Sequence, residues 1–283
     1  MTTTDAPVDQ PTTPAKPPGG RSNNGWVAVL ATVAGAVVVA VVLVQGFVAG
    51  LVATEGGQSS RSQPVAGVQA LELDVAAAEM TVTFGAVDEA VLDVDSQGWQ
   101  LNRQWRFEVV SNTLVVEQGG PWGWSFPAFN GRTQVTLTLP NELQQQLDAE
   151  LDVAAGSTTI VGDFRDVDID VAAGSLSFDG ASTALNVDIS SGSASVDTDG
   201  PSDVDIEVSA GRAVVSIAGD APDSTAVQVS AGQADVWLPD ADYAITGEVS
   251  AGDREINVRS DSGSRHQLDV SVSAGRATVE YTD

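Results

Sequence analysis

Residues 151–181 read LDVAAGSTTIVGDFRDVDIDVAAGSLSFDGA. The phrase apolar–acid–Val–Ala–Ala–Gly occurs twice here, 18 residues apart. Variants follow toward the C-terminus: VDISSG ends at Gly192, IEVSAG at Gly211, VQVSAG at Gly232, GEVSAG at Gly252 and VSVSAG at Gly275. From Gly156 onward the spacings are 18, 18, 19, 21, 20 and 23 residues. LDVAAA, ending at Ala78, is a further, degenerate copy. A period near twenty is too short for a domain and marks a stacked repeat.

Alignment on the glycine gives the strand pattern. Val153, Val171, Ile189, Val208, Val229, Val249 and Val272 lie three residues before it. Ile160, Phe178, Val196, Val215, Val236, Ile256 and Val279 lie four residues after it. Apolar residues alternate along a strand on each side, and the phase slips by one at the glycine. That slip marks a corner or tight turn, where a residue without Cβ is favoured. A chain of hairpins with Gly first in each turn satisfies the pattern. So does a β-solenoid, parallel β-helix-like, with about 20 residues per coil. The vertical identity of the copies favours the solenoid, because in-register stacking sets like residues on like. The expected fold is therefore all-β, a β-solenoid after one N-terminal transmembrane helix.

Residues 85–150 interrupt the repeat. They contain strand-like runs at 90–95, 105–110, 113–117 and 133–139, a turn at Ser111-Asn112, and a short helical signal at 141–147 (NELQQQL). They also contain PWGWSFPAF at 121–129.

Ahead of the repeats, residues 1–25 are rich in Thr, Pro, Gly and Asn and read as a disordered cytoplasmic tail. Residues 26–53 hold no charged side chain and read as a transmembrane helix. At about 1.5 Å per residue they reach roughly 40 Å, enough to cross a hydrocarbon core of about 30 Å. A cleaved secretory signal ending at Ala53 is the rival reading. Lys16 and Arg21 precede the span and Arg61 follows it, which places the N-terminus in the cytoplasm and the rest outside. Residues 54–66 read as a linker and 67–283 as the exterior β-repeat domain, irregular and aromatic-rich over 85–150 and regular over 151–283.

The VSAG-type copies, the TQVTLTLP segment at 133–140 and the N-terminal span together resemble the bacterial putative-adhesin β-strand-repeat family, membrane-anchored proteins of unknown function. The resemblance covers about residues 67–283. It implies a bacterial envelope protein with a solenoid-like exterior domain, and it supplies no catalytic residues.

Composition removes several classes of function. The 283-residue chain has 12 basic and 39 acidic residues, a net charge of -27, one His and no Cys. A disulfide framework, a zinc–thiolate site and a thiol nucleophile are excluded. The strong negative charge argues against nucleic acid and against anionic lipid surfaces. No cofactor and no metal centre are expected.

The candidate residues follow from the repeat. Asp166, Asp168 and Asp170 form D-x-D-x-D, and Asp203, Asp205 and Glu207 repeat it, with Asp188 between them in the repeat. Alternation points them outward. Like charges about 5 Å apart in water repel by roughly 0.8 kcal/mol per pair, which a divalent cation would relieve. The competing reading is a solvated face that discourages aggregation. A two-carboxylate glycosidase site is a remote third reading, because it needs a cleft. Trp99, Trp105, Trp122, Trp124, Phe126 and Phe129 concentrate aromatics in the irregular region. Trp122, Trp124, Phe126 and Phe129 are the binding candidates, and a cover for an open end of the stack is the structural alternative. His266 is expected in an exposed polar loop. Arg212 and Arg276 are expected to pair with neighbouring acids. The resulting expectation is a non-enzymatic envelope protein that binds cell-wall or surface material, or serves as a scaffold. The alternative is an envelope-stress sensor or regulator acting through another membrane protein.

Overall fold

The computed structural model describes residues 58–96, 105–119 and 133–282. The tail, the apolar segment 26–53 and the aromatic segment 121–129 lie outside the described residues. Among those described, no helix is long and apolar enough to cross a membrane. Among the described residues the regular structure consists of strands and one 3-10 turn at Asn141–Leu143, within the short helical signal at 141–147.

The described strands form two eleven-stranded sheets, and among them neither closes on itself. In the first sheet the order is β1 (Gln58–Gln63), β4 (Ala90–Ser96), β7 (Thr133–Pro140), β3 (Glu79–Gly85), β9 (Ser157–Val161), β11 (Ser175–Ala181), β13 (Ser193–Asp199), β15 (Arg212–Ala218), β17 (Gln233–Leu238), β22 (Arg276–Tyr281) and β19 (Asp253–Ile256). In the second it is β20 (Arg259–Ser260), β18 (Asp242–Thr246), β21 (Gln267–Val272), β16 (Ser224–Val229), β14 (Asp203–Val208), β12 (Ala184–Ile189), β10 (Asp166–Val171), β8 (Asp148–Val153), β2 (Ala70–Val75), β6 (Thr113–Gln118) and β5 (Trp105–Val110). The strand before each corner lies in the second sheet and the strand after it in the first, so the corners are not hairpins.

Successive repeats pair parallel and in register, Val171 beside Val153 and Ile189 beside Val171. Every second residue is thereby turned inward. Val167, Ile169 and Val171 of β10 and Leu176 and Phe178 of β11 are buried, while their neighbours face out. Inward residues of both sheets make one hydrophobic core. Phe164, in the connection after β9, lies edge-on to Phe84 at 5.4 Å and faces Phe178 at 6.1 Å.

The ladder continues through the corner. Ala172, Ala173 and Ser175 donate backbone N–H groups to Val153, Ala154 and Gly156 at 3.0, 3.0 and 2.9 Å. One repeat on, Ser190, Ser191 and Ser193 donate to Val171, Ala172 and Gly174 at 3.0, 2.8 and 3.0 Å. Backbone therefore lies directly on backbone. A Cβ on Gly192 would sit 2.5 Å from the Gly174 carbonyl oxygen and 2.5 Å from a Val171 methyl. Close approach, not an unusual φ, demands glycine there.

Chain order and spatial order part at both ends. The LDVAAA copy (β2, β3) lies between the repeat of β8 and β9 and the strands β6 and β7. The last copy (β21, β22) is inserted between the repeat of β16 and β17 and the preceding copy, β18 and β19. The physical reason is apolar content. Leu268, Val270, Val272, Ala277 and Val279 are all at most 2% exposed. The displaced copy carries Asp253, Arg254 and Glu255 in β19, and its Val249 is 43% exposed. A charged, short edge strand suits the outside of a stack. Tyr281 pins the inserted strand by donating to the Ala241 carbonyl (2.9 Å) and accepting from the Arg259 amide (2.7 Å).

The irregular region falls close to its expected runs. β5 and β6 form an antiparallel hairpin. Its turn residues Ser111 (φ 49°) and Asn112 (φ 70°) are both left-handed, as such a two-residue turn requires. Residues 58–63, read as part of a linker, instead form β1, antiparallel to β4. Its polar sequence QSSRSQ hides its alternation, because an edge strand covers little core. Trp105 is buried in the core at 3% exposure.

Two outcomes are expected. Gly192→Ala should lower stability by about 2–3 kcal/mol, whereas Gly263→Ala, where a Cβ would meet only the Asp261 carboxylate at 3.4 Å, should change it by less than about 0.5 kcal/mol. Val272→Ala should cost about 2 kcal/mol and Val249→Ala under about 0.5 kcal/mol, although both occupy the same position in the repeat. Urea unfolding of the four variants checks both, and equal costs at Val272 and Val249 would contradict the inserted order.

Candidate functional site

In-register stacking converts a sequence position into a file of like residues across the sheet. On the outer face of the second sheet one file runs Glu117, Asp74, Asp152, Asp170, Asp188, Glu207, six carboxylates on six neighbouring strands. Gln228 and Ser271 end it. A second file, two residues back along the strands, runs Glu72, Glu150, Asp168, Asn186, Asp205. Asn186 breaks the charge and donates to Asp168 at 2.9 Å. Asp166 and Asp203 lie at the starts of β10 and β14. Arg165 pairs with Asp148 and lies 4.0 Å from Asp166, and the Ser202 hydroxyl donates to Asp203 at 2.9 Å.

The structure thus brings together Asp168, Asp170, Asp188, Asp205 and Glu207 in the two files, with Asp166 and Asp203 flanking. It adds Glu72, Asp74, Glu117, Glu150 and Asp152. The signal for Asp74 was its place in the degenerate LDVAAA copy. Glu117 lies outside every glycine-marked copy, and only strand pairing reveals it. Glu248, which shares the same position in its repeat, is kept apart from the acidic file by Ser271.

Crowding shows in the acid–base chemistry. Partial burial, then Glu150, Asp170, Asp74 and Asp168, push the Asp152 carboxyl up to about 6. Partial burial and a like-charged neighbour also raise Asp74 (Glu117), Glu150 (Glu72), Asp170 (Asp188) and Asp205 (Asp188). Among the described residues, no group of three or more acidic or His side chains converges on a point where one metal ion would be held. The files offer a surface of negative charge, not a chelate.

The first sheet presents a different face. Ser157, Ser175 and Ser193 form one file and Thr136, Thr81, Thr159, Ser177 and Ser195 another. A shallow depression of about 310 Å³ lies over the five serines and Thr159 and ends at Arg212. Arg212 pairs with Asp235 at 2.6 Å and Arg276 with Asp253 at 3.3 Å, as their positions suggested. Trp237, which the repeat pattern did not single out, stands half-buried on this outer face. His266 departs from expectation. It is partly buried, its Nδ1 lies 2.7 Å from the Pro222 carbonyl, and its ring is 6.0 Å from that of Tyr243. The strand order brings these groups together across 44 residues of chain, which a local reading does not see. The candidates Trp122, Trp124, Phe126 and Phe129 lie outside the described residues, as does Trp99.

No family model matches the chain, and no curated protein matches it. Solved structures do resemble it. A putative adhesin from Parabacteroides distasonis is 15% identical with a TM-score of 0.47, covering 81% of this chain and 98% of that one. A putative adhesin from Bacteroides fragilis is 13% identical with a TM-score of 0.46, covering 80% and 97%. A putative lipid binding protein from Parabacteroides distasonis is 11% identical with a TM-score of 0.44, covering 81% and 98%.

The raised carboxyls make stability depend on pH. A folded-state value near 6 for Asp152 lies above the ordinary 3.8, so the folded protein keeps a proton that the unfolded chain has released. The contribution is fully present below about pH 4 and is lost as pH rises through 6. Two units correspond to about 2.7 kcal/mol, which solvent screening on this open face reduces to about 1 kcal/mol. Asp152→Asn should therefore raise the melting temperature at pH 7.5 by about 2–4 °C and flatten its fall between pH 4.5 and 7.5. Thermal scans of both proteins across that range provide the check.

Proposed function

We propose that the chain is a single-pass protein of the bacterial cell membrane that presents an acidic β-solenoid outside the cell. Its role is non-enzymatic, an adhesin-like binding or scaffold function. Residues 26–53 would cross the membrane, with residues 1–25 in the cytoplasm. Parallel, in-register pairing of successive repeats supports the solenoid. The observation that carries the function is the regular array of side chains on the outer faces. Their side chains stand in regular files on open sheets, a geometry suited to broad contact with an extended surface. A reacting centre would need groups converging in an enclosed, water-excluding site.

The partner on this reading is cell-wall or surface material, with Trp122, Trp124, Phe126 and Phe129 as contact residues chosen from the sequence. The alternative is an envelope-stress sensor or regulator that acts through a membrane partner.

The test is binding of the full chain, in detergent, to isolated cell walls and intact cells, with and without calcium. Saturable binding is expected, reduced about tenfold in a Trp122→Ala/Trp124→Ala double variant of unchanged melting temperature. Absence of binding under both conditions would overturn the adhesin-like reading. Co-purification of a membrane protein that depends on residues 26–53 would then favour the sensor.

A further inference from the structure

We propose that the outer face of the first sheet around Trp237 is a binding platform for a neutral polysaccharide. The proposal rests on the adhesin-like reading and gives it a ligand class and a place. Trp237 lies five residues after Gly232. The same position in other repeats holds Val161, Asp179, Asp197, Ser216, Glu280 and Asn257, mostly small or polar. Register sets Trp237 between Ser216 and Glu280 on the face opposite the core. The core therefore does not account for this ring, which leaves part of an apolar surface open to water. Indole faces of this kind suit a ligand with one apolar side.

Asp235, two residues earlier on the same strand and face, is only 8% exposed. Arg212 Nη2 donates to its Oδ2 at 2.6 Å, and Gln233 Nε2 lies 3.0 and 2.8 Å from its two oxygens. A carboxylate held this way keeps a fixed orientation and retains lone pairs for further donors. The depression beside it runs from Arg212 over Ser193, Ser195, Ser175, Ser177 and Ser157. It is lined without a formal charge other than that of Arg212, which Asp235 balances.

The chemistry of the occupant follows. It offers apolar C–H faces to an indole and hydroxyls to a carboxylate, a guanidinium and a row of serines. It carries no net charge, since a polyanion would meet a chain of net charge -27 and a polycation would favour the carboxylate files of the other sheet. A chain of neutral hexoses fits, lying across the strands along the serine file. The volume of about 310 Å³ is at the lower bound of ligand sites, in keeping with one or two sugar rings in contact at a time.

The test is calorimetric titration of the full chain, in detergent, with cellohexaose, maltohexaose and chitohexaose. At least one should bind saturably, with affinity falling at least tenfold in Trp237→Ala and at least threefold in Asp235→Asn, each at unchanged melting temperature. Trp237 contributes nothing to the core, so its variant stays informative if Asp235→Asn is destabilised. Failure of all three sugars to bind, or equal binding by Trp237→Ala, overturns the platform. If whole cell walls are still bound in that case, the adhesin-like reading survives without it. Sugar binding without cell-wall binding would leave the platform standing and sink that reading.

Discussion

The structure depends on a parallel main-chain hydrogen-bond ladder that does not stop at the corner between its two sheets. Each corner donates to the one beneath it at the ladder spacing of about 4.8 Å. At Gly174 and Gly192 this leaves no room for a Cβ between successive backbones. Once the corners are locked in register, every other position is locked as well, because two strands leave each corner with fixed phase. Inward positions must then be apolar in every copy, and outward positions repeat whatever chemistry the sequence places there. The core and the surface files come from the same constraint.

That constraint has an electrostatic consequence. Six carboxylates on adjacent strands repel one another, and the chain spreads the strain without compensating each charge. The file is open to water, where each contact costs roughly 0.8 kcal/mol. Asn186 interrupts the second file, and Gln228 and Ser271 close the first. Asp152, partly buried among like-charged neighbours, responds by holding its proton to about pH 6. The other sheet stacks serines and threonines by the same rule, with Asp179 and Asp197 paired on the same face.

Much of this is legible in the chain. The VAAG and VSAG copies, aligned on glycine, reveal the strands, their inward sides, the corners and the outward direction of the acids. Ser111-Asn112 announces its hairpin because two adjacent left-handed residues suit few other turns. Pairing of Arg212 and Arg276 with nearby acids follows from their place beside the corner. Less local features are not legible. β1 is missed because a polar edge strand has no apolar alternation. Glu117 joins the acidic file through a strand that bears no repeat motif. His266 meets Pro222 only because the last repeat lies beside the repeat of β16 and β17. Trp237 resembles a core residue until the register shows which way it faces.

The sequence by itself determined the period, the position of the corners and the side of each strand that faces inward, because these depend on alternation within a few residues. Only the tertiary structure decided which repeat lies beside which. Copies this alike present nearly equivalent edges, so any repeat can satisfy another's backbone groups. The order is settled by which arrangement buries the most apolar surface. Leu268, Val270 and Val279 are therefore drawn into the stack, and the charged strand Asp253–Ile256 is left at its edge, although it comes first in the chain.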